Sequence, residues 1–141
     1  MAGPESSLVQ CLPGDPTSVP AARRAVAAQL RAWGLEPFVD TVSLAVSELV
    51  TNAVLHAMGE VRVTLSLVPE GARLEVADGS SRAPQQRQPT ALSGTGRGLQ
   101  LVDMLATDWG VQSASGTGKV IWAVFAAADE QHADPSRLAD R

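Results

Sequence analysis

The sequence predicts an α+β fold: a two-layer sandwich of a mostly antiparallel sheet with helices on one face. Three observations carry this. A long apolar helical pattern runs from Glu36-Pro37 to Met58 without a breaker. Beyond it the period of the apolar residues drops from helical to alternating at Glu60. The strand-like runs then come as hairpin-compatible pairs with helices inserted between them, which places helices against a sheet rather than between parallel strands.

Each element follows from local chemistry. Ser6–Leu12 is a short mixed run suited to an edge strand, and Pro13-Gly14-Asp15-Pro16 is a turn. Thr17 or Ser18 can cap the next helix, and Pro20 is tolerated in its first turn. Ala21–Trp33 is rich in Ala, Arg and Gln, all good helix formers, and Gly34 stops it. The connection to the second helix is very short, so the two helices are expected to pack together. Val61, Val63, Leu65 and Leu67 alternate with Arg62, Thr64 and Ser66, the pattern of a half-buried strand. Pro69-Glu70-Gly71 is a hairpin turn. In the strand Ala72–Asp78, Leu74, Val76 and Asp78 share one face. A carboxylate closing a core-facing row is aimed into a pocket, or else it caps the turn that follows.

Ser80–Ser93 has no periodicity and contains Pro84 and Pro89. A structureless stretch of about 14 residues in a small domain is usually functional, often a lid. Gly94-Thr95-Gly96-Arg97-Gly98 leads into a short helix over 99–106. Strands at 109–114 and 119–127, joined by Ser115-Gly116-Thr117-Gly118, close the pattern. Residues 128–141 read as a polar tail, 15–127 as one domain, and 1–14 as an N-terminal segment with its edge strand.

Composition narrows the function classes. The chain has 141 residues, enough for one core, with 45% hydrophobic and 18% charged residues, as a folded domain requires. A net charge of −4 argues against nucleic-acid binding, which needs a basic surface. Cys11 is the single cysteine, excluding an internal disulfide and a cysteine-rich zinc site. No apolar run is expected to span a membrane, and Met1–Cys11 lacks a basic segment followed by an apolar one. The expected compartment is the cytoplasm.

The stretch that carries chemistry is Ser47–Ala57. On a helix, Val42, Val46, Leu49, Val50, Ala53 and Ala57 share one arc of roughly 100°, a core face. Glu48, Asn52 and His56, spaced i, i+4, i+8, form a second stripe flanked by Leu44 and Leu55. Polar groups in such a setting need partners, because an unpaired buried one costs roughly 1–3 kcal/mol. A narrow solvated stripe would give the same spacing. The glycine segment before the later helix suits phosphate, since free N–H groups and the positive end of the helix dipole point at the ligand. It is neither a dinucleotide fingerprint nor a P-loop: its spacing is G-x-G-x-G, and Gly118-Lys119 is followed by Val120.

Together, Glu48-x-x-x-Asn52-x-x-x-His56, the strand ending in Asp78, and Gly94-x-Gly96-Arg97-Gly98-Leu99 resemble the GHKL ATPase fold over residues 15–127. That fold is shared by gyrase-type topoisomerases, histidine kinases and related chaperone and repair ATPases. The wording around Glu48–Ala57, together with Gly-Arg-Gly-Leu, Trp109-Gly110 and Gly118-Lys119, is similar to the bacterial anti-sigma-factor serine kinases.

The resemblance implies ATP and Mg²⁺ as cofactors. It makes Glu48 the catalytic base and Asn52 the ligand of the Mg²⁺ that bridges the phosphates. Asp78, followed by Gly79, would receive the adenine amino group. Gly94, Thr95, Gly96, Gly98 and Leu99 would belong to the segment wrapping the phosphates, with Arg97 adding a charge-assisted contact. His56 matches a variable position, where packing and phosphate contact are equally open. The implied partners are an anti-anti-sigma-type protein and a sigma factor, with possible homodimerisation and no direct nucleic acid or membrane. Two positions depart from the family pattern. Asp78-Gly79-Ser80-Ser81-Arg82 places neither glycine of the usual D-x-G-x-G in register. Val120 stands where Thr or Ser is frequent, and Thr117 is the alternative hydroxyl. The departures admit a second reading, a nucleotide-gated binding module without catalysis.

Overall fold

The computed structural model describes residues 6–56, 59–78, 97–113 and 118–127. The elements run β1 (Ser7–Leu12), α1 (Ser18–Ala32), a 3-10 turn (Glu36–Phe38), α2 (Val39–His56), β2 (Val61–Val68), β3 (Gly71–Asp78), α3 (Arg97–Leu105), β4 (Asp108–Ser113) and β5 (Lys119–Ala126). The strands form one five-stranded sheet in the order β1-β2-β3-β5-β4. Every pairing in it is antiparallel. The expected α+β sandwich is the observed fold. β5 enters between β3 and β4, so the chain leaves β3, forms α3, runs along the far edge as β4, and returns through the centre.

The core lies between the sheet and the helices. Val61, Val63, Leu65, Leu74, Val76, Ile121, Ala123 and Phe125 meet Ala22, Val26 and Leu30 of α1 and Val42, Val46, Leu49 and Val50 of α2. The helical arc read from the sequence is thus the buried face of α2; its last member, Ala57, lies outside the described residues. Glu36–His56 is, by length and composition, apolar enough to cross a membrane, contrary to the expectation from the run of residues. Its buried face against the sheet accounts for that hydropathy: it is the central helix of a core.

Other boundaries moved for identifiable reasons. α1 begins at Ser18, three residues before the expected start, because neither Thr17 nor Ser18 is the capping side chain. Asp15 accepts from the backbone N–H of Thr17 at 2.9 Å and from its hydroxyl, while the Ser18 hydroxyl donates to the Pro13 carbonyl. The second helix opens as a 3-10 turn around Pro37 before becoming α-helical at Val39. α3 begins at Arg97 rather than Leu99. Leu67 alternates with the core residues of β2 yet is 41% exposed at the strand's end.

The β2–β3 turn has two residues, Pro69 and Glu70, with Val68 paired to Gly71. Gly71 belongs to β3: a Cβ there would lie 1.9 Å from the Phe125 carbonyl oxygen, so no side chain fits between β3 and β5. Glu70 takes a φ of 74°, costly for a residue with a Cβ. Glu70→Gly is expected to stabilise the fold by about 0.5–1 kcal/mol, read as a rise of a few degrees in Tm.

Candidate functional site

Among the described residues only three polar or charged residues are buried: Ser18, Asn52 and Asp78. Ser18 is accounted for by its bond to the β1–α1 turn. The other two were both singled out from the sequence for chemistry. Asn52 lies on α2, 6% exposed, and Asp78 is the last residue of β3, 7% exposed. α2 packs on β3 and on α3, so the helix bearing Asn52 adjoins both the strand that ends in Asp78 and the helix that follows the glycine segment.

The polar stripe of α2 is graded rather than uniformly enclosed. Glu48 is half-buried, Asn52 buried and His56 exposed. Leu44 and Leu55 are 41% and 61% exposed, so they do not wall the stripe as expected. Leu55 and His56 end the helix, and neither is covered by the sheet or by α3. This corrects the picture of three enclosed polar groups: only Asn52 carries the full cost of burial. Enclosed amides need partners, and Asn52 is not without one.

Asp78 has a specific partner that sequence reasoning missed. Lys119 Nζ donates to Asp78 Oδ2 at 3.1 Å, with the two side chains 17% and 5% exposed. The register explains the meeting, since Asp78 and Lys119 lie directly opposite in the β3–β5 ladder. Both follow the rows of buried residues Leu74–Val76 and Ile121–Ala123, so they stand on the helix-covered face. Removing one partner from a buried pair costs about 3–5 kcal/mol, because the other charge is left uncompensated. Nothing local in the sequence marks Lys119 as the partner of Asp78, because 41 residues separate the two.

α3 provides the other wall. Arg97 and Gly98 form its first turn, and Leu99 packs its side chain against the core. The helix's far end is tied to β4: Trp109 Nε1 donates to Asp103 Oδ1 at 2.7 Å. Just beyond α3, Thr107 N–H donates to the Val124 carbonyl at 2.7 Å. α3 is therefore tied to the sheet at its C-terminal end, and its N-terminus, the positive end of its dipole, is the end that follows the glycine segment in sequence. Gly79, Gly94, Thr95 and Gly96 lie outside the described residues, as do Ser80–Ser93, Thr117 and the 128–141 tail.

This arrangement suits a phosphorylated ligand with a polar ring. A carboxylate at a strand end can accept from an amino group, a buried amide oxygen can meet a hard cation, and a helix start can meet phosphate. Comparison with known families matches the chain to the histidine kinase-like ATPase domain over residues 12–125. The matched range spans the positions of Glu48, Asn52, Asp78, the glycine segment and Lys119. A comparison with curated proteins finds no match. The matched domain implies ATP as the ligand. With a match running from the last residue of β1 almost to the end of β5, the chain belongs to the histidine kinase-like ATPase domain family and has its GHKL-type fold.

Proposed function

We propose that this chain is a regulatory serine kinase of the anti-sigma-factor type. It transfers the γ-phosphoryl group of Mg·ATP to a serine of a small antagonist protein and sequesters a sigma factor. The observation that carries the reading is the pairing of burial with chemistry. Among the described residues, two of the three buried polar residues, Asn52 and Asp78, are the ones assigned to the cation and to the adenine base.

In this reading Asp78 accepts a hydrogen bond from the adenine amino group. The segment from Gly94 to Leu99, with Arg97, cradles the phosphates at the start of α3. Glu48 lies one helical turn from Asn52, half-buried and so open to an incoming hydroxyl. Its carboxylate takes the proton of the acceptor serine, the serine oxygen bonds to the γ-phosphorus, and the bond from that phosphorus to the β-bridging oxygen breaks to release ADP. Such transfer needs positioning more than covalent chemistry. His56, exposed at the end of α2, contributes to the phosphate side or to the protein partner rather than to packing.

Asn52 fits Mg²⁺. Its amide oxygen is a hard donor, and no group of three or more His, Cys, Asp or Glu gathers among the described residues. Mg²⁺ is commonly held by one or two protein oxygens plus phosphates and water, which is the donor set available here. When bound, the ion neutralises phosphate charge.

Calorimetric titration of ATP with and without Mg²⁺ tests the site. Wild type is expected to bind Mg·ATP at sub-millimolar concentration. Asn52→Ala is expected to raise the Kd about 10- to 100-fold in the presence of Mg²⁺ and little in its absence. Equal affinities of the two proteins for Mg·ATP would remove Asn52 from the site. The second reading, a nucleotide-gated binding module, is favoured by the misplaced glycines after Asp78. It predicts the same titrations with no label transferred from γ-³²P-ATP to any protein.

A further inference from the structure

Lysine is among the side chains least often enclosed, because its ammonium is strongly hydrated. Lys119 is enclosed all the same, 17% exposed, with Nζ 3.1 Å from a carboxylate that is 5% exposed. It begins a central strand, and the residue facing it across the ladder is the one that ends β3. A fold that needed only stability would gain little from such a pair, since well-packed apolar residues serve as well or better. What the pair does provide is a carboxylate held in one orientation at the candidate site by the ammonium beside it.

We propose that Lys119 is a positioning residue that sets base specificity: its contact with Asp78 makes the site accept a purine with an amino group at position 6 and reject a 6-oxo purine. This rests on the reading above, in which Asp78 meets the base of ATP. An ionised carboxylate only accepts hydrogen bonds. A 6-amino group donates to it. A 6-oxo group in the same place presents lone pairs to lone pairs, and both groups go unpaired. The ammonium enforces this by supplying the countercharge that a buried carboxylate requires. Without it the carboxylate is free to turn away from the 6-amino group, and the discrimination that depends on its orientation is lost. Lys119 thus acts through Asp78 and touches no part of the nucleotide.

The test compares ATP with inosine triphosphate, whose base has a 6-oxo group and an N1–H where adenine has a 6-amino group and an unprotonated N1. Their dissociation constants are measured by calorimetry for wild type, Lys119→Met, Lys119→Arg and the double variant Asp78→Asn/Lys119→Met. Wild type is expected to prefer ATP. Lys119→Met is expected to lower that preference about 10-fold or more, and Lys119→Arg to restore it. The double variant is the control that the preference runs through Asp78; should Lys119→Met not fold, Lys119→Gln, uncharged and still polar, takes its place with the same expected loss. The amide of the double variant at position 78 both donates and accepts, so its preference is expected to vanish. A merely structural lysine would weaken both nucleotides alike and leave the ratio unchanged.

An ATP preference in Lys119→Met or in the double variant within about two-fold of wild type would overturn the proposal while leaving the ATP site standing, since the amide donor set cannot supply it. So would a larger loss of inosine triphosphate than of ATP in Lys119→Met, which would make Lys119 a direct reader of the base. Equal wild-type affinity for the two nucleotides also overturns it. Failure of wild type to bind either nucleotide would remove the site itself.

Discussion

Glu48→Gln is expected to bind Mg·ATP within about two-fold of wild type and to transfer its phosphoryl group about 10²–10⁴-fold more slowly, the range typical for loss of a general base. The substitution keeps the size and planarity of the side chain and removes only its capacity to take a proton. Glu48 sits on the half-buried flank of α2, one turn from Asn52, and the core face of the helix is elsewhere, at Val46, Leu49, Val50 and Ala53. Folding should therefore be little affected, and the change should fall on turnover. The measurement is label transfer from γ-³²P-ATP to serine in extract of the host cell, beside ADP release by the purified chain. Transfer at the wild-type rate would take the base role from Glu48. Binding without transfer in wild type as well would select the nucleotide-gated module.

Phe125→Ala carries the largest expected cost in stability, about 3–5 kcal/mol, as for large-to-small changes in a closed core. Phe125 is the largest fully buried side chain described, 1% exposed, in a strand with neighbours on both sides. Its cross-strand partner is Ala72, whose small side chain leaves the ring's space to be filled by Phe125 alone. Domains of this size have about 5–15 kcal/mol in all, so the variant should unfold at a much lower denaturant midpoint. Lys119, at the other end of β5, is six residues away, roughly 20 Å along the strand. Nucleotide affinity measured at low temperature should therefore stay near wild type. A midpoint shift of less than about 1 kcal/mol would mean that the core end of β5 repacks easily.

The sequence made most of the elements legible because their signals are local. The core arc of α2 follows from 3.6-residue periodicity, and β2 and β3 from strict alternation. Even Asp78 was legible, as the polar end of an apolar row. The errors came where local signals compete. Thr17 does occupy the N-cap position of α1, but its side chain makes no capping bond; Asp15, two residues earlier, accepts the Thr17 N–H. The spacing predicts a uniform polar stripe, yet helix periodicity describes direction around an axis and not how far along it the cover extends. Asn52 lies under cover, and His56, one turn later, does not.

By itself, then, the sequence determined the class of fold and the face of α2 that enters the core, and it marked Asn52 and Asp78, two polar residues that the fold buries. Hydrophobic period and turn chemistry act over a few residues and can be read in place. Only the tertiary structure decided which strands are neighbours, and with that the partner of Asp78. The insertion of β5 between β3 and β4 brings Lys119 opposite Asp78 across 41 residues of chain. A contact of that kind depends on register between strands that are distant in sequence, set by how the whole core closes.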